Sequence, residues 1–543
     1  MFLFLRPVLK EYALESAVSF NFCIMYTDHS EDTIFAPATI PGTGAISVMR
    51  ISGPEAVPAA AALVHPVASA DISDESRRGN GDFKCEASCA CPNQQIIESK
   101  GYRMHFGQIS GKDGRLLDEV IASVFRAPHS YTGEDSVEIS CHASSYIVSE
   151  ISALLVDLGL RPAEPGEFTQ RAFLNGKMDL AQAEAVADVI AAQSAASHRI
   201  AVNQLKGGFS SELKTMRASL LEIVSLMELE LDFSDEDVEF ADRGRLNSLV
   251  DGVMAHIRRL MDSFRAGNAI KNGVPVALVG ATNVGKSTLL NALLGEERAI
   301  VSDIHGTTRD TVEETMNLGG VLFRFIDTAG LRETAETVEK IGIERSYKKL
   351  HEAQIVLGVV DASRVFEENC REIREILSHT DPDRQDIIIV LNKCDALVGT
   401  DCESVGYAAS GMDSAIGTEL RNKNVICINK YVSFIDNDKI KVVAISAREK
   451  AGIDGLKSLL SDTQKDLTEN TDAVLVTNIR HLEALSSAST ALGRVKSGLS
   501  FGTATDLVSQ DLREALYHLG SILGEISTDE VLGNIFKNFC IGK

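Results

Sequence analysis

No apolar stretch among the 543 residues approaches the roughly 20 needed to span a membrane as a helix. Residues 1–15 are apolar, yet they carry Glu11 and Glu15 and lack both a basic cluster and a clear cleavage site. A signal or transit peptide is therefore not expected, and residues 1–31 read as an extension ahead of the folded chain. Cysteine lacks framework spacing: ten are scattered along the sequence, which points to a reducing, cytoplasmic compartment. Cys85, Cys89 and Cys91 stand close together, but with three and one residues between them and no Cys-x-x-Cys to follow, they do not fit a zinc knuckle. Basic charge is scarce as well. The formal net charge is −24, so the chain as a whole attracts nucleic acid poorly. RNA contact would need a local basic patch or a basic partner.

What is present suffices for several domains with ordinary cores, given the length and 44% hydrophobic residues. Strand character is expected at Ala45–Ile51, Arg103–Ser110 and Leu117–Phe125, with a turn at Pro41-Gly42-Thr43-Gly44. Arg50 sits in an apolar context, a candidate for an anionic ligand or a surface strand residue. Residues 65–100 read as a poorly ordered insertion, and residues 32–145 as a small α+β domain. A helical pattern covers Tyr146–Leu160, then a long Ala-rich helix in the segment after Pro165, with Asp179 as a candidate N-cap. Further helical stretches are expected near 193–229, 242–270, 478–497, 503–523 and 527–539. They flank a nucleotide-binding segment on both sides. Since the ends of an inserted domain usually lie close together, the economical arrangement is one helical domain, 146–271 plus 472–543, into which residues 272–471 are inserted.

The chain is organised around Gly280-Ala281-Thr282-Asn283-Val284-Gly285-Lys286-Ser287-Thr288. It follows an apolar run, Val274–Val279, and opens another, Leu289–Leu294. Strand, glycine loop and helix in this order, with the G-x-x-x-x-G-K-S spacing, fit the phosphate-binding loop. Its backbone N–H groups and helix N-terminus would cradle phosphates. Lys286 would reach the β- and γ-phosphates, and Ser287 would hold Mg²⁺. Gly306-Thr307-Thr308-Arg309-Asp310 follows about twenty residues later, where a threonine hydroxyl can ligate Mg²⁺ in the triphosphate state. Asp327-Thr328-Ala329-Gly330 ends an apolar strand; Asp327 would hold Mg²⁺ through water, and the Gly330 N–H would sense the γ-phosphate. Asn392-Lys393-Cys394-Asp395 follows the strand Ile387–Leu391. The Asp395 carboxylate can accept both N–H groups on one edge of guanine, which selects GTP over ATP. Ser446-Ala447-Arg448, after the strand Val442–Ile445, supports the base from the other side. Each motif alone is weak; five in order, each after an expected strand, specify a GTPase on an open, mostly parallel, doubly wound sheet.

One absence bears on mechanism. Leu331 stands where many small GTPases carry a water-orienting Gln, so hydrolysis must recruit another group. Glu333, Glu336 and Glu339 lie just beyond. Asn283 offers a carbonyl oxygen near the phosphates, where a monovalent cation could supply the charge of an arginine finger.

The segment Asp32–Pro54, Ser130-Tyr131-Thr132-Gly133-Glu134-Asp135, the run Pro165–Lys177, the five GTPase motifs and the terminal Phe539-Cys540-Ile541-Gly542-Lys543 together resemble the MnmE (TrmE) family of tRNA-modifying GTPases over nearly all of residues 32–543. The resemblance implies a folate-binding domain that also dimerises, a discontinuous helical domain and an inserted Ras-like G domain. It implies GTP and GDP as ligands, a homodimer, and a heterotetramer with the FAD-bearing flavoprotein MnmG. Together they would place an aminomethyl or carboxymethylaminomethyl group on C5 of the tRNA wobble uridine. The one-carbon unit would come from 5,10-methylenetetrahydrofolate or 5-formyltetrahydrofolate, and tRNA would be held mainly by the partner. By this resemblance Arg50, Glu138, Lys177 and Lys543 bind folate. Asn283, Ser302, Ile304 and Thr307 ligate K⁺, and Ser287 and Thr308 ligate Mg²⁺. Asp303 and His305 join the GTP-binding segment, Glu339 is the general base or water-orienting residue, and Cys540 matches a functionally required cysteine. His142 is followed by Ala143-Ser144-Ser145 where the family usually has two glycines, which leaves that loop open. A ribosome-assembly GTPase is the competing reading. It would want a basic RNA-binding module after the G domain, where this sequence has helices and Cys-Ile-Gly-Lys.

Overall fold

A computed structural model describes residues 32–66, 92–232, 243–295, 314–326, 350–351, 353–396, 430–435, 437, 439–464, 474–501, 503–525, 529–537, 539 and 542. The chain divides into two compact units, residues 1–184 with 523–543, and residues 185–522.

The first unit is built on a six-stranded sheet. Its strands are β1 (Ile34–Pro37), β2 (Ile46–Ser52), β3 (Arg103–Ser110), β4 (Leu116–Phe125), β5 (Ser136–His142) and β6 (Arg161–Pro162), in the spatial order β3-β4-β5-β2-β1-β6. All pairs are antiparallel except β1 with β6. The period-2 alternation sorts Met49 and Ile51 of β2, with Val120, Ala122 and Val124 of β4, onto one face. There they pack against the helices Ala56–Leu63 and Ser145–Asp157. The unit therefore extends past residue 145: helical periodicity marks an apolar face but does not say which core that face joins. The segment after Pro165 forms a short helix, Glu167–Leu174, and then, past Gly176, the expected Ala-rich helix, Leu180–Ala191. The second starts at Asp179, whose carboxylate accepts from the Gln182 N–H while the Gln182 side chain accepts from the Asp179 N–H, each at 3.0 Å. Within the expected insertion, residues 92–100 are ordered by a buried Asn93, which caps the short helix Gln94–Ile97.

In the second unit the long helical stretches break at Lys206-Gly207 and at Ser263, giving Ala195–Leu205, Gly208–Asp232, Arg243–Asp262 and Phe264–Asn272. The helix Ile479–Phe501 returns from the other side of the nucleotide segment to pack along Arg243–Asp262. The outgoing and returning chain meet closely. A Cβ on Gly267 would come within 2.2 Å of the Val476 carbonyl oxygen, and Gln204 donates to the Leu475 carbonyl at 3.1 Å. Between these points lies a second six-stranded sheet. It comprises β7 (Val274–Val279), β8 (Glu314–Leu318), β9 (Val321–Ile326), β10 (Ile355–Asp361), β11 (Asp386–Asn392) and β12 (Ile440–Ala444), in the order β12-β11-β10-β7-β9-β8. Every pair is parallel except β8 with β9. β10 is buried along its whole length and β11 almost so, as expected of central strands covered on both faces. Among the described residues no helix is long and apolar enough to cross a membrane.

Candidate nucleotide site

The loop 280–288 leaves the C-terminal end of β7 and enters the helix Lys286–Leu294. Two of its glycines are dictated by contact. A Cβ on Gly280 would lie 2.1 Å from the Val359 carbonyl oxygen of β10. One on Gly285, whose φ is +97°, would lie 2.3 Å from the Asn392 side-chain nitrogen. Asn283 adopts the left-handed conformation at φ +64°, which Asn tolerates better than most residues. Val284 is buried beneath the loop, whereas Asn283, Ser287 and Thr288 are exposed at the helix's first turn, whose positive end suits a phosphate. Lys286 donates to the Gly280 and Ala281 carbonyl oxygens, both at 2.8 Å. Burial pulls its ammonium below the usual lysine range, and nearby Glu372 offsets part of that shift.

The base-side loops are held to the phosphate loop by one buried side chain. Asn392, at the end of β11, donates to the Val284 carbonyl at 2.9 Å and accepts from the Ala447 N–H at 3.0 Å. It is 2% exposed. Asp395 follows in a turn of 3₁₀ helix, Cys394–Ala396, and accepts from the Ser446 hydroxyl at 2.6 Å. The Arg448 side chain is exposed, so its turn contributes through the backbone and Ser446. Lys393, at φ +62°, donates to Asp361 at 2.7 Å.

Sequence reasoning missed Asp361 and Glu372. Asp361 is an acid that ends a wholly buried strand, a signal visible beside Ile355–Val360. Glu372 carries none: it lies on the helix Phe366–Ser378 and reaches the loop only through folding, accepting from the Ala281 N–H at 2.5 Å. Burial would raise the Asp361 carboxyl, but Lys393 and two bonds from Ser363 outweigh it and hold it below the usual carboxylate range. A carboxylate lowered in the fold stabilises it fully above the unfolded value near ~4, and that contribution is lost as pH falls through the folded value. Lys393→Met is therefore expected to lower the urea midpoint at pH 7 and to converge with the parent as pH drops from 5 to 2. A gap independent of pH would contradict the pairing.

The remaining expected nucleotide and ion residues, Ser302 to Thr308, Asp327 to Gly330 and Glu339, lie outside the described residues, as do Cys540 and Lys543.

In the first unit, the β2–β5 register makes Arg50 and Glu138 direct cross-strand partners. Their side chains pair at 2.8 Å. The guanidinium lies 5.1 Å from the ring centre of Tyr131 and 5.7 Å from that of Phe168. It also donates to the Gly542 carbonyl at 3.3 Å, which sets Gly542 against the sheet. Gly542 is buried at φ +95°, and a Cβ there would meet the Pro37 carbonyl oxygen at 2.3 Å. Lys177 donates to the Pro128 carbonyl at 2.9 Å, on the loop that also carries Tyr131. Phe168 is fully buried in the core beneath, so the Arg50–Glu138 pair and the Tyr131 ring are the groups here that could meet a ligand with polar edges.

A phosphate loop at the C-terminal edge of a parallel sheet, joined by Asn392 to an Asp-bearing base loop, defines a guanine-nucleotide-binding protein. A profile of the MnmE helical domain matches residues 180–540, and one of the GTP-binding protein TrmE N-terminus matches residues 33–177. The chain is 46% identical over 515 residues to the tRNA modification GTPase MnmE of Parabacteroides distasonis, covering 94% of this chain and all of that protein. It is 46% identical to that of Porphyromonas gingivalis, over 95% of this chain and 98% of the relative. The chain belongs to the MnmE family of tRNA modification GTPases. A solved G domain of the Thermotoga maritima FeoB iron transporter is 22% identical, covers 35% of this chain and 97% of its own, and has a TM-score of 0.23, too slight to add to the sheet order above.

Proposed function

We propose that the chain is a K⁺-stimulated GTP hydrolase that, with the flavoprotein MnmG, installs a (carboxymethyl)aminomethyl group at C5 of the tRNA wobble uridine. The GTPase part is supported most by the Asn392 bridge, which ties the phosphate loop to the base-side loops, and the tRNA part by membership of the family. Lys286 would turn from its two carbonyl partners to the β- and γ-phosphates, a step its partly desolvated ammonium favours. Ser287 and Thr308 would hold Mg²⁺, with Asp327 acting through water. Asn283, Ser302, Ile304 and Thr307 would hold K⁺. Bound, the two cations supply positive charge where the triphosphate splits. Glu339 would orient the attacking water in place of the missing Gln.

In the first unit Arg50, Glu138, Lys177 and Lys543 would hold a 5,10-methylene- or 5-formyltetrahydrofolate near Cys540. The three-part division into 32–145, 146–271 with 472–543, and 272–471 would give a folate-binding and dimerisation domain, a helical scaffold and the GTPase, with Lys177, Cys540 and Lys543 reaching the folate site from the helical part. A homodimer, a heterotetramer with FAD-bearing MnmG, tRNA held mainly by that partner, and a cytoplasmic setting complete the reading.

The purified protein is expected to hydrolyse GTP at least about tenfold faster in potassium than in sodium at equal ionic strength, the scale of one well-placed charge. Equal rates would remove the cation from the mechanism. A deletion strain is expected to carry wobble uridines without the C5 group. Unchanged uridines would overturn the tRNA role.

A further inference from the structure

The unit of residues 185–522 contains a groove of about 690 Å³ that none of the roles above uses. It runs along the helix Ala195–Leu205, just beyond which Lys206 lies, and is closed at one side by Asn317 of β8. Its charged lining is Arg199 and Lys206, with His198 beside them and no Asp or Glu. That is a departure in a chain of net charge −24. Arg199 and Lys206 are seven residues apart, about two turns, so their heads line one helix face about 10 Å apart.

The geometry points to this groove as a binding site for the phosphate backbone of tRNA on the GTPase chain itself. Arg and Lys here are exposed, as suits a polymer backbone rather than a small anion, which is usually enclosed. The apolar lining is only alanines and Val202, leaving a protein partner no aromatic or large aliphatic anchor. The polar lining of Gln193, Asn203 and Asn317 adds donors for phosphate and sugar oxygens without the means to read a base sequence.

The groove's place in the fold gives it a consequence. Asn317 donates to the Gln193 carbonyl at 3.0 Å, and the helix Ala195–Leu205 also touches β9. β8 starts at Glu314, shortly after the segment holding Thr307 and Thr308; β9 ends at Ile326, immediately before Asp327. If Thr308 and Asp327 act on the bound nucleotide as proposed above, RNA in the groove and nucleotide would address the same β8–β9 hairpin, one at Asn317 and the other through the segments that flank it. Any coupling between them must be reciprocal.

This inference rests on tRNA being the substrate, and its test separates the two. Labelled tRNA is titrated with the full-length protein, bound to GDP, in steps of salt, and fluorescence anisotropy is recorded. Arg199→Ala/Lys206→Ala is expected to weaken binding about tenfold or more at low salt. It should also reduce the slope of log K against log salt by about 1.5, as two lost phosphate contacts require. Arg199→Lys/Lys206→Arg should restore both, and GDP affinity should not change in either variant. Coincident slopes for parent and alanine variant would overturn the site, as would loss of RNA binding only together with GDP. A variant that kept its tRNA slope but lost association with MnmG would also overturn it, by making the groove a protein interface. Should the slopes coincide while a deletion strain lacks the wobble modification, the enzymatic reading survives and the groove does not.

Discussion

Asp395→Asn is expected to weaken GTP binding roughly 10²–10⁴-fold while admitting xanthosine triphosphate. The magnitude follows from two hydrogen bonds to a charged acceptor, each about 1.5–3 kcal/mol. One oxygen of Asp395 is taken by the Ser446 hydroxyl. In the variant the amide carbonyl keeps that bond, which turns the NH₂ group toward the base. Guanine then presents donor to donor, whereas xanthine presents a carbonyl that accepts. Competition between the two triphosphates, read by nucleotide displacement, checks this. Unaltered GTP affinity would show that some other group reads the base.

The second large effect is expected at Asn392, and it differs in kind. Asn392→Ala strands two buried backbone groups, the Val284 carbonyl and the Ala447 N–H. Leaving each unsatisfied costs about 1–3 kcal/mol, so the urea midpoint should fall and the nucleotide unit should lose about 2–6 kcal/mol. The loss of a packed side chain adds to this, because Gly285 approaches so closely that only a hydrogen fits between. Affinity should drop alike for GTP and for xanthosine triphosphate, since the residue holds the loops together and does not face the base. A changed base preference without a changed midpoint would refute this staple role. Set beside Asp395→Asn, the two variants separate reading from rigidity.

Much of this was legible in the residues. The apolar run Val274–Val279, the glycine spacing after it and the Asn392–Asp395 tetrapeptide encode local strands, turns and caps, which depend on neighbours a few residues away. For the same reason β3 and β7 begin and end where the pattern places them, and Asp179 caps the helix it was expected to cap. The long helices were legible as helices but not in their breaks. Lys206-Gly207 and Ser263 interrupt stretches whose apolar period continues across them, because the direction of the chain there is set by what each half packs against.

The sequence by itself determined the order of motifs, the chemistry each residue type can perform and the sheet type that carries them. Tertiary structure alone decided which of those groups meet. β2–β5 register sets Arg50 against Glu138, and a fold spanning 492 positions brings Gly542 to the same guanidinium. Helix packing delivers Glu372 to Ala281, and the β8–β9 hairpin to the basic groove. The physical reason is range. Propensity, capping and glycine geometry act within a turn or two of the chain, whereas register and packing are settled by cores that draw on residues hundreds of positions apart.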